Sequence, residues 1–459
     1  MYKIVQKRNS VKNVFNFFLI FVFVGSCFGG SKTVDKNGLR ILFVYQSLEV
    51  GMHADNTHGT NAFKLRGSSV CKLNHIEQFH NFGVDVRVLV MGDETYAQSL
   101  QEKGMRVYTC KKPKSNSVLI QILTKKFADI IAQDPVDIIV CNEPVIAAAA
   151  KNLKNKNIGI VATLHTDPRA ARCNYLRGVD GAACVGPCAE KLLKRFNKEQ
   201  GLGLKVIEQV APFFNVDRFL KFIPPTESKY DFFNREFGVT LKDGFIISSV
   251  ANFYWYFKNH AVLIKATALL VHEYKLPVQL VLVGNGVRLE EMKTLAHKLK
   301  LDGYVHFVGL TQKVPEVNFY SDICALTSDS ESFGIALAEA ALMKKPLVAT
   351  VGTGMEALVI DGQTGLLFEK NNEQALAAQL AVLIKNEQLR ATLGANAYAH
   401  TVAHFLPEVG VSKLLNFYQK VLETKAEGVQ KVGWVPVARV ERKLQKTGHC
   451  GGAFCMREK

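Results

Sequence analysis

No collagen-like period runs through this chain: its 34 glycines and 13 prolines are ordinary for 459 residues. No internal repeat of roughly 20–50 residues appears, which argues against a solenoid or propeller. Arginine and lysine form no stripe interleaved with aromatics, and no zinc-finger spacing is present, so nucleic acid is not an expected partner. Charged residues are few enough, at 21%, and hydrophobic ones frequent enough, at 48%, to exclude a mainly disordered chain. The length is too great for one ordinary core and suits two domains of roughly 200 residues each.

The net charge of +16 is uneven. Residues 1–13 hold Lys3, Lys7, Arg8 and Lys12 without an acid, and residues 426–459 are also basic. The body between is only moderately basic, which suits anionic small molecules and anionic lipid surfaces. After the basic start comes the apolar run Val14–Val24, interrupted by Asn16, then Gly25-Ser26-Cys27. This is the layout of a secretory signal, with a lipobox-like end, and the run is short of the roughly 20 apolar residues of a full span. Residues 1–38 are therefore read as a signal or membrane anchor. The favoured location is membrane-associated with the domains facing the cytoplasm; secretion or lipid anchoring is the other reading.

Ten cysteines are present, an odd nine without Cys27. Cys141 and Cys324 lie in apolar runs and read as reduced core thiols. Cys184-x3-Cys188 and the His449-Cys450…Cys455 tail do not supply four ligands at zinc spacing, and no metal is expected.

From Leu39 onward, strand and helix signals alternate. Strands are predicted at Ile41–Tyr45, Val84–Val90, Val136–Cys141 and Ile158–Leu164, with helices between, including one over 117–132. Lys111, Lys112, Lys114, Lys125 and Lys126 surround that helix, and Val118, Ile122 and Leu123 form its apolar face. A basic amphipathic helix can lie on anionic lipid, although a core-facing helix with solvated lysines is favoured. The pattern breaks near Pro224-Pro225 and restarts. Strands follow at Phe245–Val250, Val278–Val283, Val305–Val308, Ile323–Leu326 and Leu347–Thr350, with helices at His260–His272, 287–300 and 333–343. The chain then reads helical from Glu373 to about Lys425. The expected class is α/β, with two Rossmann-like domains facing each other across a cleft: 39–225, then 226–425, then a basic tail over 426–459.

Residues 327–368 carry the most chemistry. Glu331-Ser-Phe333-Gly334 leads into Ile-Ala-Leu-Ala-Glu339, followed by Pro346, the turn Gly352–Glu356 and Thr364-Gly365-Leu366. A strand runs into a turn, Gly334 allows close approach at a helix start, and free N–H groups there suit a diphosphate. Glu339 follows Glu331 by eight residues, about 12 Å along a helix axis, too far to share one proton. Two such carboxylates can hold hydroxyls at two ends of an extended ligand. Leu337, Ala338, Ala340 and Ala341 surround Glu339, and a charge in so apolar a helix needs a partner.

These residues together resemble the retaining GT-B glycosyltransferases of family 4, over about Ile41 to Tyr418 and most strongly after Phe245. The resemblance implies that Glu331 contacts a donor sugar, that the backbone of Phe333 and Gly334 lies against sugar and phosphate, and that Glu339 holds the ribose. It implies that Lys258 pairs with the diphosphate and that His165 stands beside the donor sugar. Gly51 falls where the first loop meets phosphate and acceptor, and Gly284, in Gly284-Asn285-Gly286, lies at a strand end near the base. The implied activity is transfer of a sugar from a nucleotide-sugar donor to a glycan or lipid-linked acceptor, with retention and without a metal or other cofactor. Asp329-Ser330-Glu331 looks like an Asp-x-Asp metal motif but is discounted, because Glu331 already has a role.

Two departures stand out. The stretch Asn252-Phe253-Tyr254-Trp255-Tyr256-Phe257-Lys258 lacks the arginine that usually precedes the lysine, and Arg288 is the candidate substitute. The double glycine of the first loop is also missing. They motivate a second reading, a catalytically impaired protein of this type that binds nucleotide or glycan. A dinucleotide site at Gly352-Thr353-Gly354-Met355-Glu356-Ala357 is disfavoured, since Asp361-Gly362 leaves no room for its helix.

Overall fold

Near-continuous runs of Val, Ile and Leu build two all-parallel sheets, each covered on both faces. The computed structural model describes residues 38–46, 75–165 and 170–426, apart from Ala211, Phe213 and Asn215. The expected signal or anchor segment and the basic tail lie almost wholly outside the described residues. So does Gly51.

The first sheet comprises β1 (Arg40–Gln46), β2 (Asp85–Met91), β3 (Arg106–Cys110), β4 (Ile138–Val140), β5 (Gly159–Leu164), β6 (Gly181–Val185) and β7 (Val206–Val210). Their order across the sheet is β3-β2-β1-β4-β5-β6-β7. The second holds β8 (Phe245–Val250), β9 (Val278–Val283), β10 (Val305–Gly309), β11 (Ile323–Leu326), β12 (Leu347–Thr350) and β13 (Gly365–Phe368), ordered β10-β9-β8-β11-β12-β13. Strand order reverses between β1 and β4 and again between β8 and β11. In open α/β sheets such reversals leave a crevice at the carboxyl ends of the strands, where ligands bind.

Four strands, β3, β6, β7 and β13, were not among those predicted. β3 and β7 are only partly buried edge strands, and β6 is Gly-Ala-Ala-Cys-Val, too small in side chain to read as a strand. The reason for the small residues is tertiary. A Cβ on Gly181 would come within 2.6 Å of Val421 and 3.2 Å of Phe417. The last helix, Pro407–Lys425, packs on β5, β6 and β7 and ties down through Lys425 to Asp180 at 2.7 Å. It was expected to end the second domain; it packs on the first sheet. One hydrophobic cluster runs from Ile41 and Val161 through Leu326, Phe333 and Leu337 to Phe417 and Tyr418, joining both sheets.

Helix Asn116–Gln133 buries Leu119, Leu123, Phe127 and Ile130. Of the apolar face read from the sequence only Leu123 turns inward; Val118 and Ile122 remain exposed beside the lysines. The helix predicted over His260–His272 forms as an α-helix to Ala268 and widens to a π-helical turn over Leu269–Glu273. The short 3-10 turn Gly354–Ala357 is followed by Asp361, with no long helix for a dinucleotide.

Candidate active site

The loop leaving β8 carries Lys258, and the loop leaving β11 carries Glu331, so both stand at the second sheet's reversal point. Backbone ties hold the two loops together. The Asp329 amide donates to the Phe257 carbonyl at 2.7 Å, and the Thr327 hydroxyl donates to the Asn259 carbonyl at 2.9 Å. Asn259, at a left-handed φ of 50°, donates from Nδ2 to the Asp329 carboxylate at 3.1 Å. Asp329 is thus engaged by an amide, and among the described residues no three His, Cys, Asp or Glu side chains gather as a metal site.

The outcome is an ion pair: Lys258 Nζ lies 2.5 Å from Glu331 Oε2, with both side chains largely enclosed. Such a pair stores one positive and one negative group at the strand ends, each available once the other is displaced. Beneath it, His260 stacks on Phe253 at 4.0 Å. Burial, with Lys258 and Arg288 nearby, pushes its pKa down to about 4, so it stays neutral at physiological pH.

Gly284 supports the same loop. A Cβ there would run into the Ala251 carbonyl, and its own amide donates to the Gly309 carbonyl at 2.8 Å. Arg288, the candidate for the missing guanidinium, is already engaged. It pairs with Glu291 at 2.6 Å and stacks over Tyr256 at 3.8 Å.

Glu331 and Glu339 do not share a helix. Glu331 precedes helix Ile335–Leu342 in a bend, because Gly334 takes φ 88° and breaks the regular path. The axial measure of about 12 Å therefore does not describe their separation. Phe333 faces away from the crevice, its ring edge-on to Phe405 at 4.9 Å. Glu339 stands in the second turn of the helix. Burial raises its carboxyl pKa to about 7, opposed by the charge of Arg218. Arg218 belongs to helix Asp217–Leu220, which packs on helix Ile335–Leu342, and it donates to the Gln312 carbonyl at 2.7 Å.

From the first sheet, His165 follows β5 directly, with its ring 5.1 Å from that of His75. His75 is buried, and burial and His165 together hold its pKa well below the ordinary range. Sequence reasoning passed over His75, a lone histidine on an apolar helical stretch. It also missed Gly186, which caps helix Pro187–Gln200 at φ 96°. A Cβ on Gly186 would strike the Ser332 carbonyl, and so would one on Gly354, whose amide donates to the Glu331 carbonyl at 2.7 Å. The loop bearing Glu331 is therefore clasped between glycines of the two sheets, and the strand ends of both sheets meet there. Among the described residues, Cys184 and Cys188 join no metal-like group.

Residues 232–400 match the family model described as glycosyl transferases group 1. The chain is 27% identical over 319 residues to N-acetyl-alpha-D-glucosaminyl L-malate synthase of Bacillus anthracis, covering 67% of this chain and 80% of that protein. It is 31% identical over 218 residues to D-inositol 3-phosphate glycosyltransferase of Corynebacterium urealyticum, covering 45% of this chain and half of that one. Among solved structures, Anabaena HepE in complex with UDP superposes with a TM-score of 0.64 at 20% identity, over 84% of this chain and 99% of that one. A glycosyltransferase from Rickettsia africae superposes at 0.68, also at 20% identity and with the same coverage. With two parallel sheets meeting at their strand ends, the chain has the GT-B fold of these solved glycosyltransferases, and its residues 232–400, across the second sheet, match the glycosyl transferases group 1.

Proposed function

We propose that this glycosyltransferase moves a hexose from a nucleotide-sugar donor to a glycan or lipid-linked acceptor, with retention of anomeric configuration and no metal. The Lys258–Glu331 pair at 2.5 Å carries the reading. A donor entering the crevice exchanges that pair for two better-matched contacts: the Lys258 ammonium takes the diphosphate, and the Glu331 carboxylate takes sugar hydroxyls. As the glycosidic bond breaks, charge develops on the leaving diphosphate. Lys258 and the free amides at the start of helix Ile335–Leu342 offset it without a proton transfer. Glu339 holds the ribose, and His165 reaches from the first sheet toward the sugar.

HepE was solved with UDP and with UDP-glucose, which supports a uridine nucleotide among the donors to try. A membrane surface as partner and a cytoplasm-facing location belong to the same proposal. Among the described residues, no helix is long and apolar enough to cross a membrane. A second reading, binding without turnover, is favoured by one observation: Arg288 is occupied by Glu291 and Tyr256 rather than standing in for the missing arginine.

Thermal unfolding of the full chain with UDP, GDP, ADP and their nucleotide sugars tests both. A ligand at ~100 times its dissociation constant adds about 2.7 kcal/mol, a shift of a few degrees. The expected result is a shift with one base, lost in Glu339→Ala, together with donor hydrolysis that falls about a hundredfold or more in Lys258→Met. A shift without hydrolysis or transfer favours the binding reading, and no shift with any nucleotide removes the transfer reading and leaves a glycan-binding protein.

A further inference from the structure

The run Tyr254-Trp255-Tyr256-Phe257 has no part in the donor contacts above, yet it is the most exposed aromatic stretch of the described chain. The four residues are 46%, 46%, 77% and 37% exposed, respectively. Contiguous exposed apolar surface beside a functional crevice marks a contact site.

The stretch is held in place. The Tyr254 amide donates to Asn252 Oδ1 at 3.2 Å, the Lys258 amide to the Trp255 carbonyl at 3.2 Å, and the Phe257 carbonyl is bound by Asp329. Trp255 and Phe257 are stacked, their ring centroids 5.9 Å apart and their planes 11° from parallel, so the pair offers one outer ring face to a ligand. Tyr256 is braced by the Arg288 guanidinium at 3.8 Å. Phe257 directly precedes Lys258, so the ring pair stands next to the charged pair.

We propose that Trp255 and Phe257 form a stacking platform for a pyranose ring of the acceptor. This rests on the donor-site reading given above. A pyranose has an apolar C–H face, which suits an aromatic surface, and a rim of hydroxyls. Asn259 and Asp329 supply polar groups for that rim within the same two loops, beside the charged pair Lys258–Glu331. A bilayer is the poorer occupant, because sinking these rings into hydrocarbon would strip water from those charged groups. A nucleotide base is the other flat group these rings could take, and titration with UDP separates it from a saccharide.

The chain has two tryptophans, Trp255 and Trp434, so full-length Trp434→Phe reports emission from the platform alone. We would titrate it with maltotriose, cellotriose and chitotriose, with UDP, and with phosphatidylglycerol vesicles. The expected result is a saturable blue shift with at least one trisaccharide. In the same background Phe257→Ala should weaken that response about tenfold or more, and Phe257→Tyr should restore it. Glu339→Ala should abolish nucleotide stabilisation and leave the saccharide response intact, so failure of the donor reading and failure of the platform are distinguishable. No trisaccharide response, a response only to vesicles or UDP, or a saccharide response indifferent to Phe257→Ala would each overturn the platform.

Discussion

At the scale of single residues, the carboxyl group of Glu339 shows how burial sets an electrostatic cost. An acid whose pKa rises on folding binds more protons in the folded than in the unfolded chain. Its penalty is absent below the unfolded value, near pH 4.5, and is complete once pH passes the folded value of about 7. Stability of the nucleotide-free protein should therefore fall across that window. Glu339→Gln should gain on wild type by ~2–3 kcal/mol between pH 4.5 and pH 8, measured by urea unfolding. A constant difference across that range would show that the carboxyl is not desolvated. Glu339, Glu331 and Lys258 stood out in the sequence because they fall in a motif of fixed local spacing. His75 was not, because its meaning lies in His165, far along the chain, whose ring is 5.1 Å away.

At the scale of elements, the start of helix Pro187–Gln200 is decided by what it touches. Gly186 and Gly201 both adopt positive φ, 96° and 58°. Only at Gly186 would a Cβ meet another segment, the Ser332 carbonyl; at Gly201 nothing lies within 4 Å. Gly201→Ala should cost about 1 kcal/mol, the price of a left-handed alanine. Gly186→Ala should cost about 2–4 kcal/mol, since the loop carrying Glu331 must also shift. Equal losses in thermal or urea unfolding would mean that the two sheets do not meet at Ser332 in solution. Most strands of the second domain followed the apolar pattern, because β8, β9, β11 and β12 are largely buried and rich in Val, Leu and Ile; the four-residue β13 did not stand out. The edge strands β3 and β7 escaped notice because they are only partly buried, with two of five residues exposed in β3 and one of five in β7.

Across the whole molecule, helix Pro407–Lys425 joins the end of the chain to the first sheet. Phe417 is fully buried there, over the small residues of β5 and β6. Phe417→Ala should destabilise the protein by about 3–5 kcal/mol. Amide exchange should accelerate first in β5, β6 and β7, although the substitution lies after the second domain in sequence. Faster exchange confined to β11–β13 would place the helix with the second sheet instead.

Local order in the chain was enough to establish two α/β halves and to single out the loop that carries Glu331 and the charged residues proposed for it. Each depends on patterns within a few turns of backbone, which apolar periodicity and motif spacing record directly. The pairing of Lys258 with Glu331, the clasp of Ser332 between Gly186 and Gly354, and the seat of the last helix on β5–β7 join residues dozens to hundreds of positions apart. They arise when burial of apolar surface brings separate elements together, and no local pattern encodes which distant partner that burial selects.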